Sequence, residues 1–234
     1  MDNYSVQSVT PEQISAARVS FMNKTYAWMV GALLISGGVA DYFYSAGHYL
    51  TLLENPSLKL LLILATFGLV IGINSAITKV SKAVIGLMFI AFSTIIGITF
   101  SSLFAIYTAS SIANVFFISS GMFAAMSAFG YITKKDLTGM GNFMMMGLFG
   151  IIIVAVVNMF LANPALYWVQ SFFGVIIFSG LTAWDTQKLK EMAVVELENG
   201  DLAGKLAISG ALTLYLDFIN LFLYLLRFLG IRRD

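Results

Sequence analysis

The sequence predicts an all-α membrane protein, a seven-transmembrane-helix bundle with the C-terminal helix central. Composition, run length and one polar stripe carry that prediction. Of the 234 residues, 59% fall in the AVILMFWYC set and only 11% are charged, against roughly 25% charged in soluble domains. That is enough apolar sequence for about seven spans of about 20 residues each. The runs are apolar on all faces and far longer than the ~10-residue alternating strands of a barrel, which excludes a transmembrane β-barrel.

The elements follow in order. Residues 1–25 form a polar, interfacial N-terminal segment, and residues 26–234 a single seven-helix domain. Asp2 and Glu12, with no small-residue cleavage site before the apolar stretch, argue against a cleaved signal peptide. Thr10, Pro11 and Gln13 fit an N-cap, a first-turn proline and the third position of a capping box, so a helix is expected to start there. Ile14, Ala17, Phe21 and Met22 recur at helical spacing and lead into the membrane. Spans are expected at about 26–46, 57–77, 83–107, 112–132, 142–161, 166–189 and 206–229, each a continuous apolar run bounded by Gly, Pro, Asn or a charge. Gly68 and Gly72 make a GxxxG, a signal for close helix approach.

Lys and Arg set the orientation. With a cytoplasmic N-terminus, nine of the thirteen basic residues fall inside: Arg18, Lys24, Lys79, Lys82, Lys134, Lys135, Lys188, Lys190 and Lys205. Of the loops on the other side, only one holds a basic residue, Lys59. Arg227, Arg232 and Arg233 break the bias if the chain crosses seven times. Six spans and a re-entrant last segment would return that tail to the inside.

Composition also removes chemistry. The absence of Cys excludes disulfides, thiolate metal sites and cysteine nucleophiles, and the single His48 excludes histidine-rich metal motifs. The Met140, Met144, Met145 and Met146 cluster reads as adaptable packing. A net charge of +1 gives no reason to expect nucleic acid, and no cofactor is expected.

An ionisable side chain inside hydrocarbon is costly unless it is paired or hydrated. Of twelve acids, two fall inside spans: Asp185 in GLTAWDTQKLK and Asp217 in ALTLYLDFINLFLYLLR. Thr213, Asp217, Asn220, Tyr224 and Arg227 are spaced 4, 3, 4 and 3 apart and share one face of the last helix, which must turn that face toward protein or water. Thr182, Asp185 and Thr186 make a smaller patch beside Lys188. If the two carboxyls meet, they titrate as one coupled pair: protonated, they tie two helices together, and ionised, they repel and offer a transient site to a hard cation such as Ca2+. Two simpler roles compete, a helix-packing hydrogen bond and, for Asp185, a boundary salt bridge to Lys188 or Lys190. A membrane aspartyl protease also uses paired aspartates. That pattern needs a Gly-x-Gly-Asp that is missing, and Pro164-Ala165-Leu166 precedes both aspartates when it should follow them, so the chain is not expected to be an enzyme.

GLTAWDTQKLK and GALTLYLDFINLFLYLLRFLG resemble the sixth and seventh helices of the Bax inhibitor-1 family, also called transmembrane Bax inhibitor motif proteins, and FGYITKKDLTGMGNF and GITFSSLFAIYTASSI resemble its middle segments. The resemblance runs from about residue 20 to the end and is nearest to bacterial members, which implies an inner-membrane location. It implies seven helices with the last surrounded by the other six, and a pH-sensitive Ca2+ leak governed by the aspartates matching Asp185 and Asp217. Some members place an Arg at the end of the second helix near the pair. This chain has Asn74, Ser75 and Lys79 there, and Lys79 would be the substitute. A second implied role is inhibition or modulation of a membrane-bound ATP-dependent protease, with the N-terminal segment as the contact.

Overall fold

In the computed structural model, residues 10–233 are described, so Asp2 and most of the extreme N-terminus lie outside the described residues. Ten helices follow one another: α1 (Pro11–Ser45), α2 (Tyr49–Glu54), α3 (Pro56–Ala76), α4 (Lys82–Phe100), α5 (Leu103–Ile106), α6 (Ala109–Ile132), α7 (Thr138–Leu161), α8 (Pro164–Met192), α9 (Val195–Glu198) and α10 (Gly200–Leu229). Seven of the helical stretches are long and apolar enough to cross a membrane. They match the expected spans to within a few residues at most ends. The main extensions are at the N-terminal ends of α1, α10 and α7.

The helix starts are written in the sequence. All three prolines of the chain, Pro11, Pro56 and Pro164, stand at the first helical turn, where a missing N–H costs nothing. Thr10 and Gln13 close the expected capping box. Asn55, Thr108, Asn163 and Asn199 accept backbone N–H groups at the starts of α3, α6, α8 and α10. In the loop before α7, the side chain of Asp136 accepts from Thr138, and these bonds hold its carboxyl below the ordinary carboxylate range. This small contribution is present above the usual Asp value and lost as pH falls through the lowered one. The N-terminal helix and the first span are one unbroken α1.

The joint between α7 and α8 carries the one non-glycine residue in the left-handed region among those described, Ala162 at φ 48°. Its N–H donates to the carbonyl of Asn158, and the Asn158 side chain accepts from Asn163 N–H. A Cβ in this conformation costs about 1 kcal/mol relative to glycine. Ala162→Gly should therefore raise the midpoint of thermal unfolding by a few degrees, and a fall would show that the turn is not strained.

The most buried span is the last. Two thirds of the apolar window of α10 is buried, against 6% for α3. It packs against α1, α3, α4, α6 and α8, while α7 joins the bundle chiefly through α8. Phe89, Phe92 and Tyr215 form an edge-to-face cluster where α4 meets α10. Phe218 does the same with Phe116 and Phe123 of α6. The outward faces carry Leu34, Phe117, Ile132 and Phe160, all more than 70% exposed in the isolated chain and suited to lipid.

The ends of the described chain lie at opposite ends of the bundle. Tyr107 and Arg232 form an antiparallel bridge, and Arg233 contacts the Tyr44 hydroxyl, so the tail sits where α1 finishes. With α10 continuous over 30 residues, about 45 Å, the re-entrant alternative is set aside. The GxxxG expectation changes as well. A Cβ on Gly68 would meet nothing, and one on Gly72 only the flexible end of Met88, whereas backbones approach closely at Gly97 (α1 to α4) and Gly130 (α6 to α8).

Candidate functional site

The α8–α10 contact brings the two in-span carboxyls together. Asp185 and Asp217 face each other within hydrogen-bonding reach, a bond that forms only when one of them carries a proton. Asp217 is 5% exposed, and its Oδ2 is buried with no partner among the described residues. Asp185 is less enclosed and feels the positive charge of Lys188 one turn further along α8.

The neighbours depart from the sequence reading. Lys79 lies in an exposed turn after α3, so the cation acting on Asp185 is Lys188. Lys190 is engaged elsewhere: its Nζ donates to the carbonyl of Tyr131. The hydroxyl of Thr213 and the amide of Asn220 donate to carbonyls of their own helix, as Thr182 does on α8. Tyr224 stacks on Phe178 of α8 and lies over Gly174, and Arg227 sits above the Tyr224 ring. Of the stripe only Asp217 is buried; Thr213, Asn220 and Tyr224 are half-buried and Arg227 is exposed, and the bonds of Thr213 and Asn220 go to their own helix and not to the aspartates. Among the described residues no three His, Cys, Asp or Glu side chains converge as a metal site. The two carboxyls would hold a cation only with backbone and water oxygens added, which fits brief residence.

Three features around the pair escaped the sequence. Thr186 bonds Ser127 of α6 at 2.9 Å, and Ser127 bonds the Tyr26 hydroxyl of α1, a hydroxyl chain across three helices beside Asp185. Tyr215, two residues before Asp217, is fully buried and bonds Ser36 at 2.6 Å, while Ser36 donates to the Ser93 and Ala32 carbonyls. Gln187 accepts from Leu137 N–H and donates to the Lys135 carbonyl, fixing the α6–α7 connection onto α8. The serine of the hydroxyl chain had a signal: Ser111, Val115, Ser119, Phe123 and Ser127 recur every fourth residue on the buried face of α6.

Residues 18–234 match the family model described as inhibitor of apoptosis-promoting Bax1. Over 224 residues the chain is 45% identical to inner membrane protein YbhL of Escherichia coli, covering 94% of this chain and 95% of that one. It is 42% identical to a protein of Borreliella burgdorferi (92% and 93% covered) and 34% identical to YrjE of Lactococcus lactis (94% of each). The chain belongs to the Bax inhibitor-1 family.

Proposed function

We propose that this protein is a multi-pass inner-membrane protein that lets Ca2+ leak passively across the bilayer, with the Asp185–Asp217 pair as pH sensor and gate. The observation that carries the reading is the meeting of two carboxyls from different helices, one of them with a buried, unpartnered oxygen. A shared proton ties α8 to α10, and its loss leaves two like charges that push the helices apart and attract a hard cation. The inner-membrane location follows the name of the E. coli relative, inner membrane protein YbhL, and the cytoplasmic N-terminus follows the distribution of Lys and Arg. The reading is non-enzymatic: Pro164-Ala165-Leu166 begins α8 some 20 residues, about 30 Å along the helix, from Asp185. The test is Ca2+ flux in proteoliposomes at about pH 6 and pH 8, on either side of neutrality. Flux that differs between them is expected, and a protein that conducts nothing overturns the reading.

A second reading has one observation in its favour. At 35 residues α1 is about 52 Å long, well beyond the roughly 30 Å of hydrocarbon, so an ordered helical segment stands outside the membrane. Ser20 and Lys24 both contact Glu196 and so brace it against α9. This segment suits contact with a partner, and a non-conducting protein that inhibits or modulates a membrane-bound ATP-dependent protease would use it. Residues 11–16 are largely exposed, whereas Ala17 is buried. Removal of residues 1–16 should abolish protease restraint and spare Ca2+ flux; loss of flux with restraint intact would reject this division of roles.

A further inference from the structure

The three arginines that break the charge bias have a structural setting. A cavity of about 600 Å3 opens between the start of α8, α5 and the end of α10, at the opposite end of α8 from Asp185. Arg227 and Arg232 line it, with Tyr107, Pro164, Tyr167 and Trp168. Its volume lies within the range of small-ligand sites.

Each cation is held in place. The Arg227 guanidinium lies 5.6 Å from the Tyr224 ring centroid. Arg232 is fixed through its backbone: its residue pairs with Tyr107, flanked by Thr108 N–H to Ile231 carbonyl and Arg233 N–H to Ile106 carbonyl. Side chains alternate along such a strap. Arg232 accordingly enters the cavity while Arg233 turns to Tyr44. Neither Arg227 nor Arg232 pairs with an acid among the described residues. Pro164 brings the N-terminus of the 29-residue α8 to the same cavity, adding the positive end of a helix dipole. Three positive elements thus converge on one space.

We propose that this cavity binds the phosphodiester headgroup of an anionic phospholipid. Guanidiniums match phosphate oxygens bidentately, and two of them face a cavity that already has room for the group. The rim assigns the lipid as the source. Tyr167 and Trp168 are about half exposed, as interfacial aromatics are. Trp168 stacks on Phe172 one turn deeper into the membrane, a path for an acyl chain that a free phosphate would not use. The bound lipid offsets the charge that the positive-inside rule disfavours on this side, and clamps α8 to α10 at the end remote from the aspartates.

The test is native mass spectrometry of the full chain released from bilayers of phosphatidylglycerol mixed with phosphatidylcholine. Retention of phosphatidylglycerol with about tenfold preference is expected, because both lipids carry the phosphodiester but phosphatidylcholine adds a choline cation that the two guanidiniums repel. R227Q/R232Q should fall to no preference, and R233Q, which removes an equal charge outside the cavity, should keep it. R227K/R232K, which keeps charge without the fork, should fall between. Equal loss in R233Q and in the double variant would show a net-charge effect and overturn the site. No preference in the native chain, with inorganic phosphate shifting its tryptophan fluorescence, would reject the lipid and leave a soluble anion. Neither signal would overturn the proposal entirely. Should R227Q/R232Q fail to fold, each single variant reads the same preference.

Discussion

Gly130→Ala is expected to lower the stability of the bundle by about 3 kcal/mol, at the upper end of overpacking costs. The added Cβ would lie 2.0 Å from the carbonyl oxygen of Ala183 and within 2.9 Å of its Cα. Both obstacles are backbone, so no rotamer change relieves them, and α6 must move away from α8. The apparent midpoint of thermal unfolding in detergent should fall by about 8 °C, from the usual scaling for a chain of this size. Gly121→Ala is the matched control on the same helix, since its Cβ meets nothing within 4 Å, and it should leave the midpoint unchanged or slightly higher. Equal behaviour of the two variants would mean that the α6–α8 approach does not limit the fold. Ala183 stands two residues before Asp185, so the same methyl group should also displace the carboxyl pair.

Asp217→Asn should remove the pH response of Ca2+ flux while the fold is retained. Asn keeps the shape and the polar atoms of the side chain but cannot carry the charge that divides the two states of the pair. The ratio of fluxes at pH 6 and pH 8 is expected to collapse to about one. Asp185→Asn should do the same. The double variant should go no further, because two groups that share a single proton act as a unit and their effects do not add. An intact pH response in Asp217→Asn, with the protein still folded, would remove the aspartates from the gate. Additive losses would mean that they act separately.

The spans were legible because the bilayer sets the length of an apolar run, and the helix starts because Pro, Asn and Thr at the first turn have one good use each. The carboxyl pair was legible for a related reason: two acids left inside hydrocarbon require each other or water. The companions of the pair were not. A helix that is apolar on all sides carries no period that separates its packed face from its lipid face. A hydroxyl or amide in such a helix also has a partner always at hand, the carbonyl four residues earlier. Thr182, Thr213 and Asn220 took that local bond, while Ser127 and Thr186 bonded across helices, and their spacing alone does not separate the two outcomes. The cation beside Asp185 was legible, because Lys188 follows it by three residues on the same helix; Lys79 came only from the resemblance and lies in an exposed turn.

The burial of α10 bears on how the protein is made. The most buried span is the last of the seven to be made, so the preceding six must insert while leaving a place for it among α1, α4, α6 and α8. Until it arrives, Asp185 and the buried hydroxyls beside it have no α10 to shield them from lipid. The bundle therefore closes only when α10 inserts, and a chain released before residue 200 would present the membrane quality-control machinery with a polar, unfilled seam.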